Sequence, residues 1–196
     1  MIKNIIFDMG GVLIEFAGPI YVRNHYKDDI YLIDELFHSK DWEKVDLGLA
    51  KEEDLIEKFT RKYPDKKDEI EDILLNWHKE VIYKNTDIID KLKNDYKIYA
   101  LTNMGENHFN YLSDRNFFDR FDGVIASYKL HLIKPDNRIY EKLLEEFDID
   151  PTESIFIDDN KKNIKASEKL GFNSILYDGN IDLYEKIKEI IASNNS

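Results

Sequence analysis

Four apolar runs in this 196-residue chain end in side chains able to do chemistry. Ile5-Ile6-Phe7 delivers Asp8 into a glycine turn at Gly10-Gly11. Leu101-Thr102-Asn103 offers a hydroxyl and an amide, Lys134-Pro135-Asp136 a lysine, and Ile157-Asp158-Asp159-Asn160 a pair of acids. A carboxylate at the end of the first run can be a nucleophile, a metal ligand or a turn former. That run alone does not decide, because Asp and Gly after β-branched residues are ordinary turn vocabulary. Taken together, the four clusters narrow the choice. Ligands of an open parallel sheet bind outside the carboxyl ends of its strands, where residues distant in sequence meet. Asp8 beside Asp158 and Asp159 brings together three carboxylates that repel unless a cation sits among them. Oxygen ligands without His or Cys suit a hard ion, most simply Mg²⁺, which shares its sphere with water and phosphate. Lys134, Thr102 and Asn103 supply the charge and hydrogen-bond donors that a transferring phosphoryl group needs. The constellation reads as phosphoryl transfer through an aspartyl intermediate.

The elements that must position these groups follow from periodicity. Strands are expected at Ile2 to Phe7, Ile98 to Leu101, Gly123 to Ala126, Ile155 to Ile157 and Ser174 to Tyr177. Helical spacing fills the gaps, as in Ile139, Leu143, Leu144 and Phe147. Such alternation implies βαβ crossovers and a parallel sheet, hence an α/β protein. From Phe16 to about Tyr83 the strand signal vanishes. Leu55, Ile56 and Phe59, then Ile70, Ile73, Leu74 and Trp77, repeat at helical spacing, so this segment is expected to be an all-helical insertion. The polar end Ser193 to Ser196 is expected to fray.

Composition restricts the partners. A formal charge of −12 repels phosphodiester backbones and anionic membranes, so neither nucleic acid nor a membrane is an expected partner. The chain has no cysteine, hence no disulfide framework and no thiolate metal site. It begins almost directly in a strand, without an apolar leader, and no run approaches the ~20 apolar residues of a membrane span. A cytoplasmic protein is expected, with a small phosphorylated molecule as its substrate.

The order Asp8-x-Gly-Gly-Val, Leu101-Thr-Asn, Lys134-Pro and Ile157-Asp-Asp-Asn resembles the four motifs of the haloacid dehalogenase-like hydrolases. The stretches Ile125 to Tyr140, Phe156 to Ile164 and Lys169 to Phe172 are similar to the branch of α-glucose-1-phosphate phosphatases and the phosphatase domain of soluble epoxide hydrolase. The resemblance implies a three-layer, Rossmann-like, doubly wound parallel sheet. Its core would comprise residues 1–15 and 84–196, with an all-helical cap at 16–83. It implies Asp8 as nucleophile, Thr102 and Asn103 as phosphate binders, and Lys134 as the charge holding nucleophile and phosphate together. Mg²⁺ would be held by the Asp8 carboxylate, the Gly10 carbonyl and Asp159, with Asp158 acting through water. A hexose 1-phosphate is the substrate it points to.

The family also contains carbon–halogen hydrolases. Displacing halide needs no metal, whereas a phosphoryl dianion approaching a carboxylate needs its charge neutralised, and the Asp158/Asp159 pair makes sense only with a cation. A dehalogenase and a catalytically idle phosphometabolite-binding module are the alternatives. One position departs from the pattern. Most phosphatases of the family carry a second aspartate two residues after the nucleophile, where this chain has Gly10. Without that acid, sugar 1-phosphates and aryl phosphates should be favoured over alkyl phosphates. His25, early in the insertion, is the candidate replacement acid, with Glu15 second. The other four histidines read as surface or boundary residues. Tyr140 shares a helix face with Leu144 and reads as packing, and Trp42 and Trp77 read as insertion core. Asp158-Asp159-Asn160 also suits a helix N-cap.

Overall fold

The computed structural model describes residues 1–194. Five strands, β1 (Asn4–Phe7), β2 (Lys97–Thr102), β3 (Gly123–Ala126), β4 (Ser154–Asp158) and β5 (Asn173–Leu176), form one parallel sheet in the order β3-β2-β1-β4-β5. All five stand where the sequence places strands, within one or two residues at each end. From β1 the chain winds to one side through β2 and β3, then returns to pair β4 against β1 from the other. That reversal of direction opens a crevice at the carboxyl ends of β1 and β4, where an open α/β sheet binds its ligands.

Alternation along the strands separates the two faces of the sheet. Ile5, Phe7, Ile98, Ala100, Ile155 and Ile157 join one core with Ile88, Ile89, Leu112, Leu183 and Ile187 from the helices Asp87–Leu92, Glu106–Ser113 and Leu183–Asn194. Ile6, Tyr99, Leu101 and Phe156 point the other way. They pack on Ile139, Tyr140 and Leu143 of the helix Asn137–Phe147 and on Ile164 and Ala166 of Lys161–Lys169. A strand buried on both faces has little room for polar groups: β1 and β4 are apolar from Ile5 and Ile155 up to the aspartates at their exits, and their first residues, Asn4 and Ser154, satisfy each other at 3.1 Å. The helix Leu183–Asn194 carries Ser193 and Asn194 in its last turn, so the expected fraying does not begin there. Asn195 and Ser196 lie outside the described residues.

Residues 16–83 contain no named strand; they carry the helices Ala17–His25, Leu32–Phe37, Lys40–Asp46, Glu52–Lys62 and Lys67–Asn76 with short 3₁₀ turns. The last helix is shorter than the spacing predicts, because Trp77–Lys79 tightens into a 3₁₀ turn. The insertion has its own apolar cluster, built from Leu32, Leu36, Leu55, Phe59, Ile70, Ile73 and Leu74, with Trp42 and Trp77 at its edge. No helix among the described residues is long and apolar enough to cross a membrane.

Tyr140 is packing, as its spacing suggests. It is fully buried, its ring lies 5.4 Å from Phe156, and its hydroxyl donates to the Asn163 carbonyl at 3.1 Å. Burial, with Asp158 and Asp8 nearby, pushes the phenol well above its ordinary value, so it stays neutral. Replacing Tyr140 with Phe keeps the ring and strands one carbonyl. Chemical denaturation of Tyr140→Phe should show a loss of about 1 kcal/mol, with the Asp8–Lys134 geometry and hence turnover left intact.

Candidate active site

Asp8 immediately follows β1, and its backbone N–H still reaches the Ile157 carbonyl of β4 at 2.8 Å, which sets it beside Asp158 at the end of that strand. Lys134 completes the group. It follows β3 by way of the short helix Ser127–Leu130, and although a lysine before proline would ordinarily be solvated, its side chain is buried. Its ammonium lies 2.7 Å from Asp8 Oδ1 and 2.7 Å from Asp158 Oδ2. Burial by itself would pull the Lys134 pKa down, but the two carboxylates outweigh it and hold the amine charged.

The two acids at the end of β4 have different surroundings. Asp158 is fully buried and saturated with donors: besides Lys134, the Asn160 N–H reaches Oδ1 at 2.8 Å, and the Asn163 amide reaches Oδ1 at 2.9 Å and Oδ2 at 3.0 Å. Asp159 is exposed, with its carboxylate directed at the glycine turn. Gly11 there has φ +75°, and a Cβ on it would stand 2.2 Å from Asp159 Oδ2. Only glycine therefore lets this carboxylate close on the site. The N-cap role falls to Asn160, which accepts from the Lys162 N–H at 2.9 Å and leaves both aspartates free of it.

Asn103 lines the crevice, and its side chain is also engaged with the lysine. Its amide donates to the Lys134 carbonyl at 3.1 Å while its Oδ1 accepts the Lys134 N–H at 2.8 Å, so the side chain is a clamp on the lysine's backbone. The buried Thr102 hydroxyl has only a marginal contact, 3.5 Å to the Asn103 carbonyl. Asn163 belongs to the site and went unassigned in the sequence, although its place five residues after Asp158, in the first turn of the next helix, was a usable signal.

Asp8, Asp158 and Asp159 each present an oxygen within 4.8 Å of the others. Such an all-oxygen donor set fits Mg²⁺. Burial, only partly offset by Lys134 and reinforced by Asp158 and Asp159, pushes the Asp8 carboxyl up to about 7, and burial with Asp158 raises Asp159 too.

In front of these groups lies a cavity of ≈ 610 Å³ between the sheet exits and the insertion. Gly10, Gly11, Thr102, Asn103 and Asp159 form its floor, and nothing lies within 4 Å of where a Gly10 Cβ would stand. Phe16, Phe37, Trp42 and Trp77, packed edge to face at 4.8 to 5.6 Å in their closest pairs, make an aromatic wall, with Arg23, His38, Asp46 and His108 as polar lining. The two tryptophans are thus both insertion core and cavity surface. His25, the sequence's candidate acid, is not in this lining. Its ring lies 4.4 Å from that of Tyr21, tilted by 31°, and it pairs with Glu80 at 2.6 Å, away from the cavity that the same helix faces with Pro19, Ile20 and Arg23. His78 and His108 are buried rather than superficial, and burial drops their pKa values to about 4 and about 3, so both are neutral.

A family model for haloacid dehalogenase-like hydrolases matches residues 2–171. The chain is 23% identical to a D-ribitol-5-phosphate phosphatase of Bacteroides thetaiotaomicron, over 98% of this chain and 100% of that protein. It is 27% identical to a sesquiterpene phosphatase of Aspergillus oryzae, over 86% of each. The fold superposes with a TM-score of 0.77 on an aspartate-to-alanine variant of a family enzyme from B. thetaiotaomicron, crystallised with magnesium and inorganic phosphate; that match is 24% identical and covers 95% of this chain and 99% of the other.

A cation among the three aspartates replaces protons, which fixes the sign of a pH dependence. Asp8 has a raised folded-state value, so the metal-free fold binds extra protons between about pH 4 and 7 and loses stability as pH rises through that window. Mg²⁺ should restore that loss. Its stabilisation, ~2.7 kcal/mol at 100 times the dissociation constant, should be small at pH 5 and full at pH 8. Paired thermal melts with Mg²⁺ and with EDTA measure this difference, in which the opposing contributions of the buried histidines cancel. Asp159→Asn should abolish most of it.

Proposed function

The chain belongs to the haloacid dehalogenase-like hydrolase family, and from that premise we propose that it is a Mg²⁺-dependent phosphatase of a small phosphorylated metabolite, working through a phosphoaspartate. The observation that carries this reading is the buried Lys134 joining Asp8 to Asp158, with the unpaired carboxylate of Asp159 alongside. Mg²⁺ held by Asp8, Asp159 and the Gly10 carbonyl would neutralise the incoming phosphoryl oxygens. Asp158, with its oxygens already taken by protein donors, would reach the ion only through water and mainly fixes Lys134. Lys134 keeps Asp8 aimed and opposes the proton that burial favours there, Thr102 donates to a phosphoryl oxygen, and an Asp8 oxygen attacks phosphorus. An idle binding module has no use for a nucleophile held in this way. A metal-free dehalogenase has none for Asp159.

Residues 16–83 act in this reading as a cap over the core formed by 1–15 and 84–196, and select the organic part of the substrate. The named relatives differ in that part, a polyol in one and a sesquiterpene in the other, while phosphate is common to both. Here the aromatic wall supplies an apolar face. Trp77 Nε1 and His108 Nε2 are buried without a partner among the described residues, on side chains that line the cavity. Leaving such groups unpaired is costly, so a ligand bearing hydroxyls suits the cavity better than a hydrocarbon. A sugar or polyol phosphate fits both features, with hexose 1-phosphates first to be tried.

Phosphate release from a panel of sugar, polyol and aryl phosphates should require Mg²⁺ and stop in EDTA. Asp8→Asn, nearly isosteric, should fold normally and lose on the order of 10⁴-fold or more in kcat. Turnover within tenfold of wild type in that variant would remove Asp8 from the nucleophile's role.

A further inference from the structure

Gly10 leaves the turn after Asp8 without an acid, yet the lining of the same cavity includes a carboxylate from the insertion. Asp46 ends the helix Lys40–Asp46 and lines the cavity together with Gly10, Thr102 and Asp159. We propose that Asp46 is the general acid and base of the reaction, protonating the leaving oxygen and then activating the water that hydrolyses the aspartyl phosphate. This rests on the phosphatase reading above and adds the missing proton donor to it.

The corner that bears Asp46 is fixed to the core. The Asp46 carbonyl accepts from Ser127 Oγ at 2.5 Å, and Ser127 Oγ in turn accepts the Met104 N–H at 2.9 Å, which ties the helix end to the segment just after Thr102 and Asn103. One residue on, the Leu47 carbonyl lies 2.7 Å from His131 Nδ1. Gly48 follows with φ +65°, and a Cβ there would stand 2.4 Å from the Tyr128 carbonyl oxygen, so the turn lies directly on core backbone. Through these contacts Asp46 keeps a set place relative to the phosphate end of the cavity.

The Asp46 carboxyl is free to act. It is half-buried, yet its side chain has no hydrogen-bond or ion-pair partner among the described residues. Burial, with Glu52, Glu43 and Asp8 as the charges around it, pushes it up to about 7, so near neutrality it carries the proton a leaving group needs. The other acids within reach lack this freedom. Glu15 lines the cavity but is paired with Lys84, and His108 is neutral with no proton to give as an acid.

The steps balance. As an Asp8 oxygen bonds to phosphorus, the bond from phosphorus to the ester oxygen breaks and that oxygen takes the Asp46 proton, releasing a neutral alcohol. Asp46, now a carboxylate, takes a proton from water as the hydroxide oxygen bonds to phosphorus. The acyl phosphate bond breaks, inorganic phosphate leaves, and Asp8 and Asp46 return to their starting forms. With an acid in place, alkyl phosphates need not be poor substrates, contrary to what Gly10 suggests in the sequence.

The test compares an alkyl ester, glucose 6-phosphate, with an aryl ester, p-nitrophenyl phosphate, by kcat/KM in Mg²⁺. This quantity runs only through cleavage of the ester bond. In Asp46→Asn the alkyl ester should lose about 10²- to 10⁴-fold and the aryl ester, whose phenolate leaves unaided, less than about tenfold. A burst of p-nitrophenol should appear, because the phosphoaspartate now waits for its base. Asp46→Glu, which keeps an acid at the same corner, should recover alkyl turnover. Equal losses on the two esters, or an Asp46→Glu protein no better than Asp46→Asn, would overturn the role of Asp46 while the phosphatase reading stands. Wild-type protein that hydrolyses neither ester in Mg²⁺ would remove that reading and this inference with it.

Discussion

The contact on which the rest depends is the buried ammonium of Lys134 held between Asp8 and Asp158. Taking charges out of water costs several kcal/mol per ion, and a buried pair repays that only with good geometry and further hydrogen bonds. Here those bonds are supplied: Asn163 and the Asn160 N–H saturate Asp158, and Asn103 clamps the lysine's backbone. The charge does not close on its own, however. Three carboxylates against one ammonium leave two negative charges, the charge of one divalent cation. The raised Asp8 value is the same imbalance in another form, since burial and its neighbours favour a proton where a cation would otherwise sit. The site is therefore built around a deficit, and a fold that saturates Asp158 while leaving Asp159 free directs that deficit toward the cavity.

The sheet and the insertion divide the cavity between them. Strand exits provide everything suited to phosphate, and they are rigid because β1 and β4 are buried on both faces. The insertion provides Arg23, His38 and the aromatic wall, of which Phe37, Trp42 and Trp77 belong to a separate apolar cluster. At residues 45–48 the two parts are bonded together, through Ser127, His131 and the backbone of Tyr128. The insertion is also held on the helix Glu106–Ser113, where Asn107 donates to Glu52 at 2.9 Å and Trp77 packs on His108 at 4.9 Å, so its lining can vary between these anchors without disturbing the reacting groups.

Much of this was legible in the sequence, and what was missed has a physical reason. Parallel strands buried on both sides read as apolar runs, so the sheet and the four polar exits stood out, and with them Asp8, Thr102, Lys134, Asp158 and Asp159. Periodicity gives a helix's existence but not its azimuth about its own axis. Hence His25 was assigned toward the cavity, whereas Arg23, two residues before it, is the side chain that lines it. Burial of His78 and His108 depends on how the insertion packs on the helix Glu106–Ser113, a tertiary fact with no local trace. That the Asn103 amide also clamps the Lys134 backbone has no trace in the sequence, because a side chain's partner across a loop cannot be seen from composition. Asp46 follows no strand and joins no motif; only the turn that presses Gly48 on Tyr128 brings it to the cavity.

The absence of a side chain at Gly10 then has a structural consequence beyond the missing acid. A carboxylate at that turn would add a fourth negative charge beside Asp8, Asp158 and Asp159, and its Cβ would have nothing within 4 Å to pack against. An acid carried on the insertion instead stands outside the cluster of three aspartates, where burial, reinforced by Glu52, Glu43 and Asp8, keeps its proton near neutrality. The arrangement places proton delivery and the choice of leaving group on the same element. Whatever fills the aromatic side of the cavity also sets how the ester oxygen meets Asp46, so recognition of the organic part and departure of the alcohol become one geometric problem, separate from the fixed chemistry at the strand exits.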